Sequence, residues 1–203
     1  MDDHGARQPA DDLHAGAPRW LTRALNFCPR CGASLARGLP EGEDRERHHC
    51  PSCGFIVYLN PRLVVSTLPV TEAGDLVLLR RAIEPGRGDW AQPGGYLEAD
   101  ETAIQGAVRE TIEETGLVVE PVRVVGLYSR IQAAVVVVAY EARIIGGRMT
   151  PTKESLEVRA WPPDAIPWPE LAFNTTLWAI RDWVRSVRPG LDVEALGSEH
   201  PAR

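Results

Sequence analysis

The sequence lacks long apolar runs and has no excess of positive charge. No run of 18 apolar residues occurs, and the N-terminus has no positively charged segment followed by an apolar one, so we predict neither a membrane span nor a signal peptide. Lys and Arg together number 22, against 28 for Asp and Glu. This acidic balance argues against sequence-independent binding to DNA or to anionic membranes. The expected location is the cytoplasm.

The remaining composition is that of a globular protein. The chain has 203 residues, of which 44% are hydrophobic and 25% are charged, enough for one ordinary domain and a small appendage. Because the chain is acidic, an anionic ligand would need local positive charge from metal ions and a few arginines.

Cysteine is also scarce, but its four copies form two similar pairs. Cys28 and Cys31 stand in CPRCG, Cys50 and Cys53 stand in CPSCG, and 18 residues separate the pairs. This spacing predicts a closed, tetrahedral four-thiolate site for a structural Zn²⁺. Two disulfides are the alternative, which a reducing compartment and the close CxxC spacing disfavour.

Hydrophobic patterns predict the elements that follow the second pair. Residues 63–70 and 75–80 are predicted as two strands of a hairpin. Further strands are predicted at 118–128, 133–142 and 156–161, the second of them central and buried because it is almost wholly Val and Ala. A last helix is predicted at 175–187.

The stretch 95–117 predicts a tight turn followed by a helix. Asp100 is the predicted N-cap, and Gly116 is predicted to end the helix. Ile104, Val108 and Ile112 recur every four residues, which predicts an apolar stripe that faces a core.

A second face of this helix is acidic. Glu110, Glu113 and Glu114 lie at i, i+3 and i+4 and therefore share one side, with Arg109 directly beside them. A run of acids on a helix is often only a solvated surface. Here two glycines, at 94–95, precede the helix, and carboxylate oxygens beside a tight backbone turn suit Mg²⁺ or Mn²⁺.

The same stretch resembles the Nudix box, GX5EX7REUXEEXGU, where U is aliphatic. Every charged and glycine position matches, and only Thr111 departs from the pattern. The resemblance implies an α/β fold, a Nudix α/β/α sandwich around a mixed sheet, preceded here by the four-cysteine zinc ribbon. The predicted organisation is the ribbon at 25–58 and the hydrolase domain at 59–188, with a flexible arm at 1–24 and a flexible tail at 189–203, where no lasting periodicity occurs.

The Nudix resemblance also implies roles for particular residues. The expected ligands of Mg²⁺ or Mn²⁺ are Glu110, Glu114, Glu113 and the carbonyl of Gly94. Arg109 is expected to hold the glutamates in place, and Glu101 to orient Arg109. Family members take their general base either from the box or from a later loop, where Glu154 is the first candidate and Glu157 the second. A surface glutamate without a catalytic role is the alternative for both.

Four further residues are candidates for substrate binding: Arg80, Arg81, Trp90 and Tyr128. The arginines would contact a terminal phosphate or a ribose, and the rings would stack on a base or a flavin. Ordinary surface or core packing is the alternative for each.

Two groups of Nudix proteins carry a zinc ribbon ahead of the hydrolase domain. NADH pyrophosphatases, which also remove NAD caps from RNA, have an SQPWPFPxS array after the box, and residues 121–131 here lack it. The second group, plant plastid FAD pyrophosphatases and related bacterial ADP-ribose pyrophosphatases, is more similar to this chain. The shared segments are FCPRCG at 27–32, YLNP at 58–61, RRAIEP at 80–85, ESLE at 154–157 and IPWPELAF at 166–173. This similarity implies hydrolysis of ADP-ribose or FAD with release of AMP, although Gln92 replaces that group's usual leucine.

Three alternatives stay open. The chain could hydrolyse NADH or decap NAD-capped RNA, or it could release pyrophosphate from nucleoside triphosphates. A non-catalytic nucleotide-sensing zinc-ribbon protein is disfavoured, because every box glutamate is present and no basic helix-turn-helix stretch occurs. The expected partner is a small nucleotide sugar or dinucleotide, and a homodimer is left open because related enzymes often pair.

Overall fold

The computed structural model describes residues 18–197, so the predictions for residues 1–17 and 198–203 lie outside the described part of the chain. The described residues form two compact units, the first made of 18–61 with Ile131–Ala134, and the second of Arg62–Arg130 with 135–197. Within residues 18–197, no helix is both long and apolar enough to cross a membrane.

The first unit contains a short helix and a small antiparallel sheet. Its elements are α1 Arg19–Thr22, β1 Ala36–Gly38, β2 Arg47–His49 and β3 Ile56–Val57, with the strands in the order β1-β2-β3. In each CPxCG segment the amide of the glycine donates to the carbonyl of the first cysteine at 2.9 Å. Gly32 and Gly54 have φ angles of +75° and +72°, a conformation that strongly favours glycine.

The second unit is built on a seven-stranded mixed sheet. Its strands are β4 Arg62–Val70, β5 Leu76–Arg81, β6 Trp90–Ala91, β7 Gly94–Tyr96, β8 Leu117–Arg130, β9 Val135–Gly147 and β10 Ser155–Trp161. The order is β10-β5-β4-β9-β8, with β6 beside β5 and β7 beside β4. β4 and β9 run parallel, and the other pairs are antiparallel.

Helices cover both faces of this sheet. α2 Ala103–Thr115 packs on Val65 and its same-face neighbours, whereas α3 Asn174–Val187 packs on Leu68 and Leu78. Successive residues of a strand point to opposite faces of the sheet. Val77 and Leu78 accordingly belong to different core clusters. The predicted α/β/α sandwich is confirmed.

The predicted strands and terminal helix are present, but two details differ. The predicted hairpin is wrong beyond its turn, since β4 pairs with β5 only at Val70 and Leu76 and instead joins β9 in parallel along its length. The chain after α3 was predicted to be frayed, yet it forms a short helix, α4 Val193–Gly197, with Val193 buried.

The N-terminus of α2 begins two residues later than predicted. Thr102, not Asp100, is the N-cap: its hydroxyl accepts from the amide of Gln105, and the Gln105 side chain accepts from the amide of Thr102. This reciprocal capping box satisfies two amides that have no partner within the helix. Gly116 ends the helix in the left-handed conformation, as predicted.

The buried face of α2 is not the predicted one. Ile104 and Ile112 are 52% and 41% exposed, so the predicted stripe is wrong for both isoleucines, and only its central valine packs against the core. The buried residues of α2 are Gly106, Ala107, Thr111, Glu114 and Thr115. A Cβ at Gly106 would lie 3.0 Å from side-chain atoms of Leu97 and Val65. Small residues therefore select this face by allowing the helix to approach the sheet closely.

Candidate active site

The turn that precedes α2 lies against the acidic face of that helix. The amide of Gly94 donates to Oε2 of Glu114 at 2.8 Å. A Cβ added to Gly95 would lie 2.5 Å from Cδ of Glu110, so a side chain at this position would clash with the carboxylate. The two glycines thus permit direct contact between backbone and carboxylates at the positions where sequence analysis expected a metal site.

Arg109 joins the carboxylates of the box. Its Nη2 and Nε donate to the two carboxylate oxygens of Glu101 at 2.6 and 3.0 Å, and its Nη1 donates to Glu110 at 2.7 Å. Nη1 also lies 3.5 Å from Glu113, and Nη2 bonds the carbonyl of Tyr96 at 3.2 Å. A planar guanidinium with five donors is suited to this fork-like arrangement.

Burial gives Glu114 unusual electrostatics. Glu114 is only 4% exposed. This burial raises the pKa of its carboxyl group to about 7, and the negative charges of Glu110 and Glu154 raise it further. The Gly94 amide and Arg81 act in the opposite direction. Burial also raises the pKa of Glu110, against the lowering effect of Arg109.

Glu101 has the opposite environment. Hydrogen bonds from Arg109, and then from the amide of Glu98, lower the pKa of Glu101 to about 2. Glu101 therefore stays ionised and holds the guanidinium. For Glu110 and Glu114, by contrast, burial makes the ionised form less stable. A nearby cation would relieve that cost.

The donor set fits a hard divalent cation that keeps some of its waters. Glu110 and Glu114 offer carboxylate oxygens, which suit Mg²⁺ or Mn²⁺, whereas the Glu113 side chain is 57% exposed. Among residues 18–197, only the four cysteines bring three or more candidate ligand atoms within 4.8 Å of one another. The wider spacing of the box carboxylates is compatible with Mg²⁺, which is usually bound by one or two carboxylates together with waters and substrate phosphates.

The loop before β10 lies close to these acids. The charge of Glu154 raises the pKa of both Glu110 and Glu114. Its backbone is fixed, because the carbonyl accepts from the amide of Ala82 at 2.9 Å and the amide donates to the hydroxyl of Thr152 at 3.2 Å. Ser155, the next residue, donates to the carbonyl of Glu114 at 2.7 Å, so the structure brings Glu154 beside the box.

Glu157, the second candidate for the general base, lies elsewhere on β10. It pairs across strands with Arg80, and its carboxylate is 3.7 Å from Nε of Arg159. This ion pair is largely exposed, and the geometry favours Glu154 over Glu157.

The two arginines that end β5 are held by the loop that follows. Nε of Arg80 donates to the carbonyl of Gly88 at 2.7 Å, and Nε of Arg81 donates to that of Pro85 at 2.8 Å. The Arg81 guanidinium also lies 5.0 Å from the centroid of the Phe173 ring. Because its charge lowers the pKa of Glu114, Arg81 is the arginine that faces the box.

The two aromatic candidates lie in the core. Trp90 is 3% exposed and packs edge-on against Trp161, with ring centroids 5.2 Å apart. Tyr128 is 8% exposed, and its hydroxyl donates to Asp182 at 2.9 Å. Neither ring presents an open face, so the expectation that they stack on substrate is replaced by core packing.

Sequence analysis missed residues that fix the site without taking part in its chemistry. The hydroxyl of Ser155 donates to the carbonyl of Glu114 at 2.7 Å, and the hydroxyls of Thr67 and Thr111 lie 2.7 Å apart. Thr111 was recognised only as a departure from the box. Serine and threonine occur at many surface positions, so no pattern in the sequence distinguishes these three.

The four cysteines form a separate cluster in the first unit. No disulfide joins any of the four cysteines, in contrast to the disulfide alternative. The sulfurs of Cys28 and Cys53 lie 3.7 Å apart and those of Cys31 and Cys50 lie 3.5 Å apart. In a tetrahedral site with Zn–S bonds of about 2.3 Å, neighbouring sulfurs are separated by about 3.8 Å. The arrangement fits the predicted four-thiolate zinc site.

Comparisons with known families agree with both sites. Residues 60–183 match the family model described as NUDIX domain, and residues 26–59 match the zinc-ribbon model described as Nudix N-terminal. The chain belongs to the Nudix family. Among solved structures, a Nudix hydrolase from Nitrosomonas europaea has a TM-score of 0.73 at 34% identity, and the match covers 87% of this chain and 95% of that one.

Two relatives of known name illustrate the branches of the family. The NAD-capped RNA hydrolase NudC of Pseudomonas aeruginosa is 31% identical over 147 residues, which cover 71% of this chain and 50% of that protein. The ADP-ribose pyrophosphatase of Methanocaldococcus jannaschii is 29% identical over 135 residues, which cover 64% of this chain and 78% of that protein. The chain thus spans about half the length of the NudC protein that it matches.

Proposed function

We propose that this Nudix protein hydrolyses the diphosphate linkage of a nucleoside diphosphate derivative, ADP-ribose or FAD, and releases AMP. The observation that carries the proposal is the contact of the Gly94–Gly95 turn with Glu110 and Glu114, together with the bond from Arg109 to Glu110. Two carboxylates of raised pKa, one buried and bonded to a backbone amide and one half-buried and bonded to a guanidinium, are typical of a site built to hold a cation and act on an anionic substrate.

Each residue of the site has a role in this proposal. Glu110 and Glu114 hold Mg²⁺ or Mn²⁺, with Glu113 and the carbonyl of Gly94 as further ligands. The bound cation would neutralise diphosphate oxygens and lower the pKa of a bound water. Arg109, oriented by Glu101, holds the carboxylates of Glu110 and Glu113 in place.

Glu154 is the proposed general base. It takes a proton from the attacking water as the water oxygen bonds to phosphorus, and the bond between phosphorus and the bridging oxygen breaks. The products are two phosphate monoesters, one of them AMP. Arg81 is the proposed contact for a substrate phosphate, because its guanidinium is held beside the box by Pro85 and Phe173.

The choice of ADP-ribose or FAD depends on sequence segments outside the box. The chain shares five segments with the FAD and ADP-ribose branch and lacks the SQPWPFPxS array, and one similar protein is an ADP-ribose pyrophosphatase. The second candidate function is hydrolysis of NADH or of an NAD cap on RNA, which the 31% identity to NudC supports.

Product analysis tests the proposal. Purified protein with Mg²⁺ or Mn²⁺ is given ADP-ribose, FAD, NADH and deoxynucleoside triphosphates separately, with Glu114→Gln as the inactive control. AMP from ADP-ribose or FAD, absent in the control, is the expected result. Turnover of NADH alone would assign the chain to the NudC branch, and pyrophosphate from triphosphates would assign it to the triphosphatases. Nucleotide binding without any turnover would overturn the enzymatic proposal.

Two finer expectations belong with this function. The four cysteines are proposed to bind a structural Zn²⁺ that takes no part in hydrolysis, since four thiolates leave no open coordination position. The partners are proposed to be small molecules and not DNA, because the net charge is −6, and a homodimer is tested by sedimentation of the purified chain.

A further inference from the structure

The hydroxyl of Ser155 connects the loop before β10 to the last turn of α2. Ser155 is 2% exposed. Its Oγ donates to the carbonyl of Glu114 at 2.7 Å and accepts from the amide of Thr152 at 3.0 Å. Both hydrogen-bonding roles of this buried hydroxyl are therefore filled by backbone groups.

The carbonyl that Ser155 contacts lies where α2 ends. The last carbonyls of a helix have no amide partner within the helix. The two carbonyls after that of Glu114 accept hydrogen bonds from the chain that follows β9. The amide of Thr150 donates to the carbonyl of Thr115 at 2.9 Å, and the amide of Arg148 donates to the carbonyl of Gly116 at 3.2 Å. The third donor to these carbonyls is a side chain, the hydroxyl of Ser155. It bonds the backbone carbonyl of Glu114, which is a proposed metal ligand.

The same serine adjoins the proposed general base. Glu154 precedes it in the chain, and the Glu154 backbone is bonded to Ala82 at 2.9 Å and to Thr152 at 3.2 Å. Ser155 pairs with Arg81 across β5, and the strand register shifts immediately afterwards, between Ser155 and Glu157. Bulges of this kind redirect side chains and are frequent beside active sites.

We propose that Ser155 is a positioning residue, whose hydroxyl fixes the Glu154 carboxylate relative to Glu114 and thereby sets where the attacking water loses its proton. The inference rests on the proposed function, in which Glu154 is the base. Loss of the hydroxyl leaves the Glu114 carbonyl without its side-chain donor and the Thr152 amide without its acceptor, so the residue next to Glu154 is no longer bonded to α2. The chemical groups of the site remain, and only their relative placement changes.

The test compares Ser155→Ala with Ser186→Ala. The Ser186 hydroxyl also donates to a backbone carbonyl at 2.7 Å, that of Trp183, on α3 and outside the proposed site. We expect Ser155→Ala to lower kcat by about 10- to 100-fold, as for other residues that orient metal ligands, with KM unchanged. Because Ser186 is exposed, Ser186→Ala should change the melting temperature little and leave kcat unchanged.

A double variant separates positioning from general destabilisation. If Ser155 acts through Glu154, adding Ser155→Ala to Glu154→Gln should cause no further loss of kcat. An equal loss in both backgrounds would overturn the inference, as would wild-type kcat in either Ser155→Ala or Glu154→Gln. Ser155→Thr, which keeps the hydroxyl, should restore part of the activity. These outcomes differ from failure of the proposed function, in which the wild-type chain itself would turn over none of the substrates.

Discussion

Glu114 shows most clearly how single residues in this site exchange stability for function. It is almost fully buried and receives one backbone amide, yet its neighbours include Glu110 and Glu154. A residue selected only for stability would be apolar or neutral at this position. The cost of its charge is understandable if a cation occupies the site during catalysis, because the cation reverses the local electrostatics.

The pKa of Glu114 leads to a prediction about the protein without Mg²⁺ or Mn²⁺. The pKa is about 7 in the fold, above its ordinary value of 4.5. The charged carboxylate therefore destabilises the fold fully above pH 7, and the penalty disappears as the pH falls from about 7 to 4.5. Glu114→Gln should raise the free energy of unfolding by up to about 3 kcal/mol at pH 8, and the difference should vanish near pH 4.5.

Urea denaturation at a series of pH values measures this difference. The buffers should lack Mg²⁺ and Mn²⁺ but contain no chelator, so that zinc is retained. Added Mg²⁺ should raise the free energy of unfolding of the wild type more than that of the variant. Equal stability of the two proteins at pH 8 without added metal would contradict the prediction.

At the scale of elements, α2 depends on contacts that hydrophobic periodicity does not reveal. The helix is capped by Thr102 with Gln105 and buries small and polar residues, while Ile104 and Ile112 remain exposed. The apolar stripe and the small-residue face both satisfy a helical period, so periodicity alone cannot choose between them. Close approach to β4 and the need to turn Glu114 toward Gly94 determine the choice.

The cap of α2 can be tested with neighbouring substitutions. Thr102→Ala removes the hydroxyl that accepts from Gln105 and should lower the free energy of unfolding by about 1 kcal/mol. Asp100→Ala, at the position that the sequence predicted as N-cap, should change it little. Chemical denaturation of both variants decides between the two caps, and the reverse order of effects would restore Asp100 as the cap.

The buried pair of Thr67 and Thr111 gives an asymmetric prediction. Thr111 donates its single hydroxyl proton to the carbonyl of Ala107 at 2.7 Å, so Thr67 is the donor in the pair. Thr111→Val should cost about 1–3 kcal/mol because it leaves the buried Thr67 hydroxyl without an acceptor. Thr67→Val should cost less, and the double variant should recover part of the loss.

A double-mutant cycle in urea measures this coupling. Additive losses in the double variant would show that the two hydroxyls do not depend on each other. A larger loss for Thr67→Val than for Thr111→Val would reverse the assignment of donor and acceptor.

At the scale of the whole molecule, the two units are stabilised in different ways. The second unit has an extensive core that includes Trp183 and Ile180, both fully buried. Among residues 18–61 whose burial is described, only Cys28 and Cys50 are buried. Without an apolar core, the first unit is expected to draw most of its folding free energy from the metal.

Zinc removal should therefore affect the two units unequally. We expect one Zn²⁺ per chain, and Cys50→Ser should release it and abolish hydrogen-exchange protection across residues 26–59 while the second unit keeps its protection. Ser52→Ala, in the same CPSCG segment, is the matched control and should retain zinc. Preserved protection of 26–59 in the zinc-free variant would contradict a metal-dependent fold.

Spacing along the chain determined the two motifs of this protein. Each CxxC turn is local and brings the two cysteines of its own pair together. Glu110, Glu113 and Glu114 share a helix face because i, i+3 and i+4 are neighbours on any α-helix. These relations depend only on local geometry, so the sequence is sufficient for them. The same spacing carries the resemblance to the Nudix family, and that resemblance implied the sandwich fold and a metal-dependent hydrolase.

Only the tertiary structure decided which distant residues meet. The pairing of β5 with β10 brings Glu154 toward the box, and the same packing places Trp90 and Tyr128 in the core. The sequence leaves each of these open, because exposed and buried aromatics have the same local pattern. Packing settles them through shape and through hydrogen bonds to buried polar groups, such as the one that Ser155 donates to the carbonyl of Glu114.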